Sequence, residues 1–235
     1  MVGTPALTRQ FIEDHTVEYY RTAGGTRPDL RVVDMPDERI VVKDFRRSDF
    51  LFRVVVGPIL IRREYGALRK LIGVEGVPRV VARIDRYALA AQHVPGVSLD
   101  RPLPKALTDG FYIDLRRVID DMHARGVAHC DLRSRGNVML GDDGRPYVID
   151  FAACVFLGRG LNPFFRWLFG QFVLADRNAV LRIKQRNSPE LMSEADKTEL
   201  ATPLPFERPA RVFGETVRRI TRRLLTRRNK PDTSA

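Results

Sequence analysis

Residues Val127–Asn137 read VAHCDLRSRGN. A histidine, an aspartate and an asparagine, with two arginines, share one short loop between apolar segments. Polar groups in such a place need partners or a task, because burying them unpaired is costly. Downstream, NVMLGDDGRPYVIDF reads as two short strands joined by the turn GDDG. The loop therefore delivers Asp131 and Asn137 to one end of a hairpin, and the return strand brings Asp150 to the same end. Two carboxylates and an amide converging beside apolar strands make a hard-oxygen site suited to magnesium, which takes few protein ligands and keeps phosphate oxygens as the rest. A carboxylate left over can accept a proton from an attacking hydroxyl or orient it.

Upstream of the loop, ALTDGFYIDLRRVIDDMHARG reads as a helix with Leu107, Phe111, Leu115, Val118 and Met122 on one side and Gly126 as its stop. The segment PGVSLDRPLP before it reads as a connector, which places a lobe boundary between residues 1–94 and 95–230, with 231–235 as a frayed tail. In the first part, strands are expected near 17–22, 30–35 and 39–45, then in RVVARID and YALAAQHV. An antiparallel meander is the simple arrangement. The period of two sets Val41, Lys43 and Phe45 on one face. On periodicity alone Lys43 either snorkels at an edge or points into a cleft to meet an anion. A helix is expected from about Pro58 through ILIRREYGALRKL, with Leu60, Glu64, Ala67, Leu68 and Leu71 on one stripe. Glu64 is a carboxylate amid apolar residues and needs a cation, and Lys43 is the natural candidate. A lysine held by a glutamate, a magnesium pair and a base are the equipment of phosphoryl transfer.

The 235 residues carry a formal net charge of +11, with 44% hydrophobic and 29% charged residues. This is an ordinary globular composition, long enough for one large domain or two lobes. The charge favours polyanionic partners. No apolar run approaches the roughly 18 residues of a spanning helix, and the first ten residues lack a signal-peptide pattern, so a cytoplasmic protein is expected. Cys130 and Cys154 have no metal-site spacing, which leaves reduced thiols as the default.

The order VVKDF, RREYGALRKL, HCDLRSRGN and IDF resembles the protein-kinase-like superfamily. The nearest likeness is to the small bacterial lipopolysaccharide-core sugar kinases, of the Kdo and heptose type, and to their RIO-like atypical relatives. The resemblance covers residues 17 to 155 and implies an α+β, two-lobed protein-kinase-like fold: an N-lobe antiparallel sheet with one helix and a mainly helical C-lobe. It implies that Lys43 binds the α and β phosphates of ATP and that Glu64 orients Lys43. By the same likeness Asp131 is the catalytic base, Asn137 and Asp150 are the Mg2+ ligands, and His129 is a structural histidine of the loop. Val41 and Met139 match the positions that sandwich an adenine ring, with plain core packing as the alternative. Gly24 and Gly25, in AGGT, are expected either to approach the phosphates or to serve only as turn residues.

Three positions depart from the family pattern. Gly136 stands where the asparagine is usual, so one extra residue lies in the loop, while the interval from Asn137 to Asp150 is the usual thirteen. Arg133 replaces a lysine and keeps a cation that can face the transferred phosphate or an anionic substrate. Ala152 replaces a glycine, which makes a mobile activation switch less expected.

No A-P-E signature follows Asp150, which points away from a protein substrate toward a sugar, lipid or other small acceptor. LNPFFRWLFGQFVL reads as a core helix of the second lobe, or alternatively as an interfacial helix. Phe206, Ala210, Phe213, Val217, Ile220 and Leu224 outline a last helix with a basic outer face, for which packing on the lobe and attachment to anionic lipid both remain open. Nucleic acid ranks low as a partner, since no nucleic-acid-binding motif accompanies the arginines. The expected function is an ATP- and magnesium-dependent kinase acting on a hydroxyl of a lipopolysaccharide-core sugar or related glycolipid, at the inner face of the cytoplasmic membrane. The alternatives are a small-molecule or Ser/Thr protein kinase of the RIO-like type, or a nucleotide-binding pseudokinase.

Overall fold

In this computed structural model residues 7–158 and 163–202 are described. The chain opens with α1 (Arg9–Asp14), capped by the Thr8 side chain, which accepts from the Phe11 amide. Sequence reading expects no helix here. Five strands follow as an antiparallel sheet: β1 (Thr16–Arg21), β2 (Asp29–Asp34), β3 (Arg39–Asp44), β4 (Val80–Arg83) and β5 (Ala88–Gln92), in spatial order β1-β2-β3-β5-β4. The central strand β3 is covered on both faces. Ile40 and Val42 pack in a cluster with Ile12 of α1, while Lys43 and Phe45 turn toward the helix that follows. Residues of both parities are therefore buried in β3, which a one-faced alternation does not anticipate.

The helix after β3 begins before Pro58, with a π-helical turn (Phe52–Val56) running directly into α2 (Gly57–Lys70). Gly57 lets this helix lie close to the sheet, since a Cβ there would stand 3.0 Å from that of Phe45. Ile61, Glu64, Ala67 and Leu68 form its buried stripe.

The segment read as a connector supplies a strand, β6 (Gly96–Ser98). Then come α3 (Asp109–Ala124), β7 (Val127–Ala128), the hairpin strands β8 (Val138–Gly141) and β9 (Pro146–Val148), β10 (Val155–Phe156), α4 (Pro163–Asn187) and α5 (Glu194–Ala201). Strand β6 pairs with β8 because Gly96, at φ +148, permits a close approach; a Cβ there would collide with the Leu140 carbonyl. Thr108 caps α3, and Phe111, Leu115, Val118, Ile119 and Met122 bury its inner face. One apolar core runs from α2 through α3 and the hairpin to α4, joining Ile61, Leu68, Leu115, Met122, Phe151 and Val180. The aromatic segment divides in two: Phe164, Phe165 and Trp167 are exposed, whereas Phe169 and the helix beyond it pack into the core. The expected C-terminal helix from Phe206 lies outside the described residues.

Candidate functional site

Strand β3 carries Lys43 into the space between the sheet and α2, where its Nζ donates to Glu64 Oε2 at 2.7 Å and to Asp150 Oδ1 at 2.8 Å. Lys43 and Glu64 are both buried, whereas the Asp150 side chain is 42% exposed. Lys43 thus meets anions in a cleft instead of snorkelling at an edge. Burial pushes the Lys43 ammonium toward neutrality, but Glu64 and Asp150 outweigh it, so the amine stays charged. Burial lifts the Glu64 carboxyl above its ordinary value, against the pull of Lys43. For Asp150 the balance reverses: burial raises it, while Lys43 and the Ala152 amide hold it below the usual carboxylate range.

Asp131 and Asn137 form the second half of the site. Asn137 Nδ2 donates to the Asp131 backbone carbonyl at 2.9 Å and to Asp131 Oδ2 at 3.1 Å. A short 3-10 turn (Arg135–Asn137) sets the asparagine in place, and the Ile149 amide donates to its carbonyl at 2.9 Å. That last bond ties Asn137 to the residue before Asp150. Gly136 has an ordinary negative φ, and a Cβ there would lie 3.3 Å from the Asp100 carboxylate. The extra loop residue is therefore absorbed in the turn without displacing the asparagine from the aspartate.

His129 is fully buried and holds the loop to the hairpin. Its Nδ1 accepts from the Asp131 amide at 3.3 Å, which leaves Nε2–H to donate to the Ile149 carbonyl at 3.0 Å. The ring also packs edge-on against Phe151, 4.9 Å between centroids. Among the described residues the only non-glycine positions at positive φ are Cys130 and Asp150, at 67° and 64°. Strained backbone of this kind persists where its surroundings over-determine it, and both instances fall beside the acidic groups. Burial pushes the Cys154 thiol up to about 11 and raises Cys130 as well, so neither cysteine is poised as a thiolate nucleophile.

One residue escapes sequence reasoning. Asp176 of α4 is buried, and its two oxygens accept from the backbone amides of His129 at 2.6 Å and Cys130 at 2.9 Å. His123 Nε2 donates to the same carboxylate at 3.0 Å. The signal was present: Asp176 stands on one buried face with Phe169, Ala179, Val180 and Ile183, a carboxylate in an apolar stripe like Glu64.

The remaining expected residues sit on the turn between β1 and β2, on the loop and in β3 and β8. Gly24 and Gly25 form a tight turn whose bonds go to Arg27 and Asp49, and Gly25 takes the left-handed φ of 57°. Arg133 is exposed on the loop. Val41 and Met139 are half-buried in β3 and β8. The site offers two carboxylates and an amide oxygen, and among the described residues no group of three His, Cys, Asp or Glu side chains forms a metal cage. Asp150 accepts its bonds through Oδ1, and Asn137 donates through Nδ2, so the arms facing away from those bonds are oxygens. That donor set fits a magnesium ion bound by few protein ligands.

No protein-family model and no curated protein sequence matches the chain. Among solved structures it is similar to the Rio2 kinase from Chaetomium thermophilum, with 17% identity and a TM-score of 0.55 over 83% of this chain and 62% of that one. A second match is the Rio2 kinase-ADP/Mg2+-phosphoaspartate complex from the same organism, with 18% identity and a TM-score of 0.54, covering 83% and 61%. The chain spans about three fifths of the length of those structures. At such identity the likeness establishes architecture: this is an α+β, two-lobed protein-kinase-like fold.

Proposed function

We propose that the protein is an ATP- and magnesium-dependent phosphotransferase that phosphorylates a hydroxyl of a lipopolysaccharide-core sugar or related glycolipid. The carrying observation is the ion cluster Lys43–Glu64–Asp150 set beside the Asp131–Asn137 pair by one hairpin. Lys43, charged and held by Glu64, neutralises nucleotide phosphates. Asp150 and Asn137 would hold magnesium, which supplies charge neutralisation between phosphoryl oxygens. Asp131 accepts the proton of the attacking hydroxyl as the new oxygen–phosphorus bond forms, and the bond from the terminal phosphorus to its bridging oxygen breaks to release ADP. Asp176 acts as a positioning residue, fixing the loop amides so that Asp131 stays on station. The absence of an A-P-E signature in the sequence supports a non-protein acceptor.

A second reading has its own support. The fold is similar to that of solved Rio2 kinases, which favours a RIO-like kinase acting on a protein or small molecule. The test is thermal stabilisation by ATP with and without magnesium, together with ATP turnover, on the parent and on Asp131→Ala and Asp150→Ala. The parent is expected to bind Mg-ATP and turn it over. Asp150→Ala should lose the metal-dependent stabilisation, and Asp131→Ala should bind without turning over. Transfer of label from ATP to extracted glycolipid supports the first acceptor, and transfer only to protein supports the second. Binding without transfer to any acceptor would make the protein a pseudokinase and sink both enzyme readings.

A further inference from the structure

The helix that carries Glu64 inward presents a very different face outward. Residues 46–70 hold seven arginines and lysines against two acids, and one of those acids, Glu64, is already paired with Lys43. In the same stretch Phe50, Leu51, Val54, Val55 and Ile59 are exposed to 69%, 61%, 44%, 50% and 54%. Single exposed apolar residues are ordinary, but five within ten positions of one helix form a patch that marks an interaction surface. Beyond Ile59 the helix runs into a shallow groove of about 490 Å³ lined by Ile59, Arg62, Arg63, Gly66, Lys70 and Phe156, with no carboxylate among them. A neighbouring groove shares Arg62, Gly66 and Lys70 and adds Arg69 and Arg83, again with no carboxylate. Arg63 donates to the Cys154 carbonyl through Nη2, while its Nε is buried with no partner among the described residues.

The charge decides the occupant. A two-fold contact of this face with itself in a second copy would set basic against basic, and so would the C-terminal segment from Leu204, which holds nine basic residues against three acidic ones. An anionic partner remains. The apolar side chains stand out as a ridge, so a protein partner would need a matching groove, whereas a bilayer boundary admits protruding side chains without one. We propose that this outer face of the helix docks on an anionic lipid bilayer, with the ridge from Phe50 to Ile59 entering the acyl boundary and Arg62, Arg69 and Lys70 meeting lipid phosphates. This deepens the glycolipid reading, in which the acceptor lies in such a surface, but binding itself is measured without catalysis.

The experiment is co-sedimentation of the full chain with vesicles of phosphatidylcholine alone and of phosphatidylcholine with phosphatidylglycerol in a three-to-one ratio. Two full-length variants accompany the parent, Leu51→Ser with Val55→Ser and Ile59→Ser, and Arg62→Glu with Arg69→Glu. All five positions lie on the surface outside the ion cluster. The parent is expected to bind the anionic vesicles and not the neutral ones, with binding weakened by salt. Since each basic residue near such a surface contributes roughly a fivefold factor in partitioning, the charge-reversed variant should lose tenfold or more. The serine variant should lose at least as much, while both keep the stabilisation by Mg-ATP. Variants that bind like the parent overturn the proposal, and would place any membrane attachment elsewhere in the chain. A parent that ignores anionic vesicles also overturns it, as does equal binding to neutral ones. Self-association through these residues without vesicle binding overturns it in favour of a second copy. Loss of Mg-ATP binding in the parent would defeat the kinase reading alone.

Discussion

Lys43 and Glu64 are two opposite charges almost sealed from water, and such a pair is most costly when only half of it is removed. Replacing Lys43 by Met leaves the Glu64 carboxylate buried without its cation, and the expected loss is about 3–5 kcal/mol in urea-induced unfolding. Adding Glu64→Leu to Lys43→Met should recover most of that loss while activity stays absent. This separates the structural cost from the chemical one. Asp176→Ala strands the amides of His129 and Cys130, and each buried donor left unpaired costs about 1–3 kcal/mol. Its turnover should fall further than its nucleotide affinity, measured by steady-state kinetics beside calorimetric titration, because the bonds of Asp176 go to the loop amides and to His123 of α3. A larger loss in affinity than in turnover would show a different role. Lys43, Glu64, Asp131, Asn137 and Asp150 were legible because each is a polar misfit near another misfit in an ordered series of short motifs. Asp176 shows the same misfit in its helical stripe, but its partner was hidden, because the amide it serves at His129 lies 47 residues away.

At the scale of elements, the sheet was readable where strands alternate or are bounded by turn residues, and less so elsewhere. Strand β6 escaped because proline and glycine in PGVS read as punctuation, yet Gly96 is there for strand contact. Gly96→Ala should cost about 1–3 kcal/mol through collision with the Leu140 carbonyl, observable as a lower midpoint in chemical unfolding. Helix α1 escaped because six residues carry little periodicity. Its place is fixed by charge: Arg9 pairs with Asp44 of β3 and with Asp85 in the turn between β4 and β5, at 2.7 and 2.6 Å. Burial raises the Asp85 carboxyl, but the Tyr87 and Ala88 amides and Arg9 prevail, so its pKa in the fold lies below the unfolded value of about 3.9. The stability this supplies is fully present above the unfolded value and is lost as pH falls through the folded one. A plot of Tm against pH should therefore drop less steeply below about pH 4 in Asp85→Asn than in the parent. Equal slopes would remove Asp85 from the acid sensitivity.

Across the whole molecule, the bond from Lys43 to Asp150 ties the sheet to the hairpin end and joins residues 107 apart in sequence. A strand-rich part followed by a helix-rich part was legible in the short strands before PGVSLDRPLP and the helical stripe after it. The outward face of the π-helical turn and α2 was not, because VVVGPILI in a sequence looks like core, and only burial shows Val54, Val55 and Ile59 turned to solvent. Among the described residues no helix is long and apolar enough to cross a membrane.

The contact between Lys43 and Asp150 also bears on affinity. In this structure the anion resting on the Lys43 ammonium, the amine proposed to bind phosphate, is supplied by the chain itself. Asp150 is a tethered competitor, present at the high effective concentration that a covalent link confers. An arriving phosphate must displace it or share the ammonium. Asp150→Asn should therefore bind ADP more tightly than the parent when metal is chelated, even as the magnesium-dependent gain disappears. In the parent, an ion that draws Asp150 away would free Lys43 for nucleotide, so metal and nucleotide would enter as cooperative guests.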